Sequence, residues 1–212
     1  MIDTLPINSW FEVAAPLVAL VVAYALFYEG ILFKLTDWHV FRKMLPFLDA
    51  EAREAGFYTS YTITPREHVG MLALDRTAAL ELFEELGFMD APLAAHKTDW
   101  QGRREIASLG HYGMDGAKIH AMPKLKRFLY MAFILQRQLH VTLFEAESGD
   151  IIVTAHYEWS PYNVLKAFDH FRGNGYDTEK GVSMAQTKLT ETKQFYPGET
   201  AEAADTDATI ET

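Results

Sequence analysis

Residues 138–159 read QLHVTLFEAESGDIIVTAHYEW, and this stretch decides both the fold and the candidate site. Two runs in which apolar and polar residues alternate flank the segment AESGD, a pattern that predicts a β-hairpin. Gly149 occupies the turn position that needs a left-handed backbone in a three-residue loop, so it sets the register of the two strands. In that register His140 lies directly opposite His156.

The register also separates the two faces of the hairpin, because successive side chains of a strand point to opposite sides of the sheet. The apolar face predicts the core and consists of Leu139, Val141, Leu143, Ile151, Val153, Ala155 and Tyr157. The more polar face consists of His140, Thr142, Phe144, Ile152, Thr154, His156 and Glu158. The two histidines are therefore expected to be neighbours on the polar face.

Two opposed imidazoles, with Cβ atoms about 5 Å apart, are close enough to share a divalent metal ion. Glu158 is one pleat further along, so the predicted ligands are His140, His156 and Glu158. The alternative is a polar sheet face on which histidines pair with threonines. Without a metal, the pKa of one histidine should fall below about 6.5, because like charges at that distance repel.

The segments around the hairpin predict an α+β domain over residues 57–190. Residues 68–74 have the pattern of a strand, and residues 76–86 that of a helix between the cap residue Asp75 and Gly87. Residues 93–98 and 104–111 predict a second hairpin, with Lys97 opposite Glu105. Residues 178–189 predict the last helix. We expect a mostly antiparallel sheet with two or three helices on one face.

Two further segments matter for the surface of this domain. Residues 162–171 predict a helix after the corner Ser160-Pro161, with Leu165, Phe168 and Phe171 directed inward. Residues 123–136 contain the apolar run FLYMAFIL, which is too short to cross a membrane. Periodicity leaves open whether this run is a buried strand or a buried helix.

The N-terminal region predicts a membrane anchor over residues 1–35. Residues 13–33 are apolar except for Glu29 and would span about 31 Å as a helix, close to the thickness of the hydrocarbon core. A cleaved signal peptide is disfavoured because no Lys or Arg precedes the run, and a buried helix of a soluble core is the other alternative. Lys34, Arg42 and Lys43 follow it, which predicts a single-pass protein with a cytoplasmic C-terminal domain.

The remaining segments flank the domain. Residues 36–56 predict an amphipathic connecting helix, with Trp38, Phe41, Leu45 and Leu48 at helical spacing. Residues 191–212 are predicted to form an acidic, disordered tail, because they are rich in acidic and small residues.

Charge is unevenly distributed along the chain, whose formal net charge is -10. Residues 101–140 contain seven basic and two acidic residues, a local charge of +5, so the rest of the chain carries -15. Lys124, Lys126 and Arg127 lie beside the apolar run and predict contact with anionic lipid or an acidic partner. The alternative is a solvated rim around a buried element. The acidic total and the lack of base-stacking motifs predict no nucleic-acid partner.

No motif in the sequence specifies a reaction. The chain has no cysteine, which excludes thiol nucleophiles and cysteine-ligated metals, and it lacks the GxSxG, HExxH, GxGxxG and phosphate-loop patterns. The favoured function is therefore a non-enzymatic, membrane-anchored accessory or binding module at the cytoplasmic membrane face. Its expected partners are the lipid bilayer and another membrane protein or complex, of which the chain could be a subunit. It would need no cofactor.

The alternative function is a small membrane-tethered enzyme that depends on a metal or on histidine chemistry. Such an enzyme would use the polar face around His140 and His156, with a divalent metal as its cofactor. The two functions differ in whether this face binds a metal ion.

Overall fold

The computed structural model describes residues 59–197, together with residues 43, 44, 47, 50–52 and 54–56. The strands are β1 (Ser60–Thr62), β2 (His68–Leu72), β3 (Met89–Asp90), β4 (His96–Thr98), β5 (Ala107–His111), β6 (Arg137–Glu145), β7 (Ile151–Trp159) and β8 (Phe195–Pro197). The helices are α1 (Arg76–Glu85), α2 (Gly116–His120), α3 (Lys124–Leu129), α4 (Ala167–Phe171) and α5 (Thr178–Leu189). A 3₁₀-helix covers Pro65–Glu67, and a π-helix covers Tyr130–Ile134.

Six of the strands form one antiparallel sheet in the order β3-β5-β6-β7-β2-β8. β1 and β4 pair separately as a short parallel sheet. The expectation of an α+β domain with a mostly antiparallel sheet is therefore confirmed.

The central hairpin β6–β7 has the register that the sequence predicts. His140 pairs with His156 and Thr142 with Thr154. The turn is closed by hydrogen bonds from the Ala146 amide to the Asp150 carbonyl at 2.9 Å and from the Gly149 amide to the Ala146 carbonyl at 3.0 Å. Gly149 has a φ of 87°, a left-handed conformation that side-chain-bearing residues rarely adopt. The turn thus fixes which residues share a face.

The apolar face of the sheet packs against α1 and α5. Ala79 and Phe83 of α1 and Ala185 and Leu189 of α5 belong to the same buried cluster as the inward side chains of β6 and β7. α5 comes so close to β7 that a Cβ at Gly181 would overlap the backbone of His156. This close approach places a helix directly behind the strand that carries the candidate site.

The opposite face of the sheet is covered by the segment around β1 and β4. Ile63 joins Phe144 and Ile152 in a second buried cluster, while Lys97 points into the interior. Lys97 and Glu105 are opposed as predicted, with a hydrogen bond from the Glu105 amide to the Lys97 carbonyl at 3.1 Å. The Lys97 amide also donates to Glu105 Oε1 at 3.2 Å, and the Lys97 ammonium contacts Ser108 and His140. The segment around β1 and β4 therefore buries the polar face of the sheet.

Within residues 123–136, residues 124–134 are helical, which answers the question that periodicity left open. α3 continues into the π-helix, and Phe128, Met131 and Ala132 are buried in a cluster with Tyr112 and Tyr162. Only one side of the segment is buried, so the apolar run also contributes exposed side chains.

The predicted helix over residues 162–171 is wrong in its first half. Residues 160–166 form turns, and α4 begins only at Ala167. Asn163 is buried, and its side chain donates to the Leu135 carbonyl and accepts from the Leu165 amide, so it competes with helical hydrogen bonds. Leu165 and Phe168, expected to point inward, are exposed.

The predicted segments at the two ends of the chain lie mostly outside the described residues. Residues 13–33 are not among them, and no helix in the described part of the chain is both long and apolar enough to cross a membrane. The described residues within 43–54 are helical. β8 adds an edge strand to β2 inside the segment predicted to be a tail, so the folded part reaches Pro197.

The contact between β5 and α5 predicts a pH-dependent stability. Burial, helped by the Lys188 ammonium 3.1 Å from the His111 ring, lowers the His111 pKa to about 4. The unfolded chain therefore takes up this proton near pH 6.5 and the folded chain only near pH 4. Stability should fall as pH drops through this window. His111→Gln should make the pH dependence of the thermal midpoint shallower there, measured on the full chain in detergent.

His120→Gln is the matched control, because it makes the same chemical change at an exposed position at the end of α2. An unchanged pH dependence in the His111 variant would contradict the assignment of this acid sensitivity to His111.

Candidate metal centre

The predicted neighbours on the central hairpin are brought together. The rings of His140 and His156 lie 4.8 Å apart between centroids. His140, His156 and Glu158 are 2%, 1% and 6% exposed, so the face is buried and not half-covered. The hairpin register places all three side chains on one face, and the segment around β1 and β4 closes over them.

The Glu158 carboxylate is the centre of this cluster. Its Oε1 atom lies 2.5 Å from His140 Nδ1 and accepts a hydrogen bond from Gln138 Nε2 at 2.7 Å. Its Oε2 atom lies 3.1 Å from His170 Nδ1 and 3.5 Å from His156 Nε2. Three imidazoles therefore converge on one buried carboxylate, and the third one comes from α4.

His156 has a second carboxylate on its other side. Its Nδ1 atom lies 3.1 Å from Glu67 Oε2 and 2.6 Å from the Tyr176 hydroxyl. Tyr176 donates to the same Glu67 oxygen at 2.6 Å, and its ring stacks on the imidazole at a centroid distance of 4.0 Å. These contacts hold the ring plane of His156 fixed.

The outer nitrogen of His140 faces a hydroxyl and an ammonium. His140 Nε2 lies 2.8 Å from Ser108 Oγ and 3.0 Å from Lys97 Nζ. Ser108, His140 and Glu158 are thus connected in the order of a hydrolase triad. Ser108 is buried in β5 and does not line the cavity, so it lacks the access that a nucleophile needs. Its contact with His140 is a positioning one.

A cavity of about 340 Å³ opens beside the cluster. It is lined by Tyr61, Thr62, Thr64, Glu67, Ala94, Ala95, Lys97, His140, His156, Glu158, His170, Phe171, Gly173 and Tyr176. Its volume is that of a site for a small molecule, and most of its polar side chains come from the cluster.

The two neighbouring histidines have opposite pKa shifts. Burial, reinforced by the Lys97 ammonium, lowers the His140 pKa well below its usual value. Burial would also lower the His156 pKa, but the carboxylates of Glu158 and Glu67 outweigh it and raise that pKa. The sequence predicted one lowered pKa through repulsion between the rings. The direction is confirmed for His140, whereas its main causes are burial and Lys97.

The carboxylates and phenols shift in complementary directions. Burial would raise the Glu158 pKa, but the surrounding imidazoles, led by His170, hold it well below its usual value. Burial is likewise outweighed at Glu67, whose pKa is lowered by His156. Burial and the nearby carboxylates raise the pKa values of Tyr61 and Tyr176. The site therefore combines two anionic carboxylates with phenols that stay protonated.

The cluster can hold a metal ion. His140, His156 and Glu158 each offer a ligand atom, and these atoms all lie within 4.8 Å of one another. Metal-bound imidazoles usually direct their second nitrogen to a carboxylate or another acceptor. His156 does so with Glu67, whereas the second nitrogen of His140 faces the Ser108 hydroxyl and the Lys97 ammonium. The donor set and its surroundings fit a small divalent cation, and the ligands are those that the sequence predicts.

Several residues of the site could not be identified from the sequence. Glu67 and Tyr176 reach His156 from segments 89 and 20 residues away along the chain. His170 follows the corner at residues 159–163. Because the sequence predicted one helix over residues 162–171, the direction of the His170 side chain could not be inferred from it. The sequence predicted Lys97 only as the cross-strand partner of Glu105, and this gave no sign of its place beside His140.

The predicted basic contacts lie elsewhere. Lys124, Lys126 and Arg127 belong to α3, and neither Lys126 nor Arg127 lines the cavity. Lys126 is exposed, and Arg127 is half-buried with its guanidinium 3.5 Å from the His120 carbonyl. The structure therefore separates the candidate metal ligands from the candidate lipid contacts.

Comparison of the chain with protein-family models, with curated proteins and with solved structures finds no match. What the site does must therefore be argued from the residues that form it.

Proposed function

We propose that the domain binds a divalent metal ion on His140, His156 and Glu158 and that the chain is a membrane-tethered, metal-dependent enzyme. The observation that carries this proposal is the convergence of three ligand atoms within 4.8 Å on the wall of a cavity. The sequence favoured a non-enzymatic module because it offered no secure ligand set. The buried, mutually positioned ligands are the reason to prefer the enzyme.

Zinc fits the donor set better than calcium or magnesium. Two imidazole nitrogens and one carboxylate oxygen form a ligand set used by catalytic zinc sites, whereas calcium and magnesium prefer oxygen ligands. Three protein ligands leave a fourth position for water. The adjacent cavity can supply that water and a substrate, which favours metal-assisted hydrolysis.

The other residues that line the cavity have chemically distinct roles in this proposal. The Lys97 ammonium gives the cavity a fixed cation suited to an anionic group of a substrate. Tyr61 and Tyr176 remain protonated and can donate hydrogen bonds. Glu67 orients His156, and His170 contacts the free side of the Glu158 carboxylate. Each role depends on a described contact or on a position in the cavity wall.

Membrane attachment is proposed from the sequence of residues 13–33. The run is long enough to span the hydrocarbon core, and basic residues follow it, which favours a cytoplasmic domain. The expected partners are the bilayer and another membrane protein, and no nucleic acid.

The second candidate function is the non-enzymatic accessory module that the sequence favoured. The exposed apolar side chains of Leu125, Phe133 and Ile134 support it, because such surfaces often mark interaction sites. This module and the enzyme would share the membrane anchor and differ at the cavity.

The metal proposal predicts a stoichiometric, residue-dependent content of bound metal. Purified without a polyhistidine tag, the full chain should retain about one zinc ion per chain by elemental analysis. His140→Ala, His156→Ala and Glu158→Gln should each lose it. Glu67→Gln should weaken zinc affinity about 10- to 100-fold, since Glu67 only orients a ligand.

His120→Ala is the matched control, because it removes an exposed imidazole that does not line the cavity around His140. Circular dichroism verifies that each variant is folded. A folded wild-type chain that binds no divalent metal under any condition tested would overturn the metal proposal.

An enzyme also needs an open metal position, whereas a structural site is closed. Cobalt substituted for zinc should give visible bands that shift when acetate or phosphate is added, because a small anion replaces the bound water. Lys97→Met should weaken the anion effect by removing the nearby cation. A cobalt spectrum that no small anion changes would favour the non-enzymatic module.

Membrane attachment and orientation can be tested with a single introduced cysteine, because the chain contains none of its own. The full chain should remain with membranes after carbonate washing. A cysteine introduced at Ala203 should resist an impermeant thiol reagent in intact cells and react after lysis. Recovery of the chain in the carbonate supernatant would contradict the anchor, and labelling in intact cells would reverse the orientation.

A further inference from the structure

The helical segment of residues 124–134 exposes a row of large apolar side chains. Leu125, Leu129, Phe133 and Ile134 are 50%, 39%, 48% and 66% exposed. The first three are four residues apart, a spacing that places them on one side of a helix. The other side of the segment carries Phe128, Met131 and Ala132, which are buried. The segment therefore has two apolar sides, one that packs in the core and one that is exposed.

A neighbouring segment also exposes large apolar side chains. Leu165 and Phe168 are 77% and 66% exposed. The Val164 amide donates to the Ala132 carbonyl at 3.0 Å, which joins residues 160–171 to the π-helix. Single exposed apolar residues are normal on a protein surface, whereas a contiguous group of them marks an interaction site. We call these six side chains the apolar patch: Leu125, Leu129, Phe133, Ile134, Leu165 and Phe168.

Basic residues dominate the two segments that carry the apolar patch. Residues 116–136 contain four basic residues and no acidic one: Lys118, Lys124, Lys126 and Arg127. Residues 160–176 add Lys166 and Arg172 against Asp169. The whole chain has a net charge of -10, so this positive region is exceptional within it. An acidic protein near an anionic surface turns its positive region toward that surface.

We propose that the apolar patch docks on the surface of an anionic lipid bilayer. Apolar side chains surrounded by cations match the boundary between acyl chains and anionic headgroups, where both components contribute. The apolar run at residues 13–33 would keep the domain next to such a surface. The interaction does not depend on a bound metal, so it goes beyond the proposed enzymatic function.

Docking in this way would bring the cavity close to the headgroups. α4 contributes Phe168 to the apolar patch, and His170 and Phe171 to the cavity wall. The helix is five residues long, so these side chains are within about one turn and a half of each other. A ligand held at the membrane surface would therefore reach the cavity along α4.

The test uses an environment-sensitive fluorophore on a single introduced cysteine. Ile134→Cys in the full chain carries the fluorophore, and the chain is reconstituted into vesicles that contain phosphatidylserine. Glu147→Cys is the matched control. It lies in the turn of the central hairpin, at the far end of the nine-residue strand β6, about 30 Å away. The fluorophore at position 134 should shift to the blue and be quenched by lipids with a quencher near the headgroup. The fluorophore at position 147 should show neither effect.

Charge reversal then separates lipid contact from other forms of shielding. The double variant Lys126→Glu, Arg127→Glu should lower the ratio of docked to undocked domain at least fivefold for each lost cation. Each basic side chain near an anionic surface contributes about 1 kcal/mol to binding, which corresponds to about a fivefold change in that ratio. Raising the salt concentration should have the same effect on the unmodified surface.

Two outcomes would overturn the proposal. One is a fluorophore at position 134 that lipid quenchers do not reach in anionic vesicles. The other is a blue shift at position 134 that is equally large in vesicles of neutral lipid and at high salt, which would show that anionic headgroups do not hold the patch. Metal content is measured on the same sample, so a failure of docking is distinguishable from a failure of the metal proposal.

Discussion

The ionised carboxylate of Glu158 is the constraint on which the arrangement of the site depends. An anion in a dry interior is costly unless charged or hydrogen-bonded partners surround it. Glu158 obtains these partners from two adjacent strands and from α4: Gln138, His140, His156 and His170. The β6–β7 register is therefore fixed twice, by the Gly149 turn and by this buried charge. A slip of one residue would move Glu158 into the apolar core.

The same arrangement suits either protons or a metal ion. In the described structure the short contact between His140 Nδ1 and Glu158 Oε1 is a hydrogen bond that the imidazole donates to the carboxylate. A metal ion would take the place of that proton and would be held by His140, His156 and Glu158. Glu67 would serve both states, because it can accept a hydrogen bond from His156 whether or not the other ring nitrogen is bound. The network around the ligands is thus compatible with loading and release of an ion.

The sequence predicted the parts of the fold that depend on local signals. The central hairpin follows from alternation and one glycine, and α1 from its cap at Asp75, whose side chain accepts from the Ala78 amide at 2.9 Å. The sequence failed where a tertiary contact overrode a local pattern, as at Asn163. It also could not place Glu67 against His156, because no spacing rule links residues that the fold alone brings together. The three candidate ligands were predictable as neighbours because all of them lie on one hairpin.

The close approach at Gly181 gives the site an asymmetric architecture. α5 touches the backbone of β7 directly behind His156, with no side chain between them at that point. α5 also contacts the 3₁₀-helix that carries Glu67. The back of the cavity is thus a single strand, β7, with α5 directly behind it. α5 contacts both this strand, which carries His156, and the 3₁₀-helix that carries Glu67. The front is formed by β1, β4 and the loops near α4. Residue 181 must stay a glycine for the back to keep its shape, because a side chain there would push α5 away from the strand that carries His156.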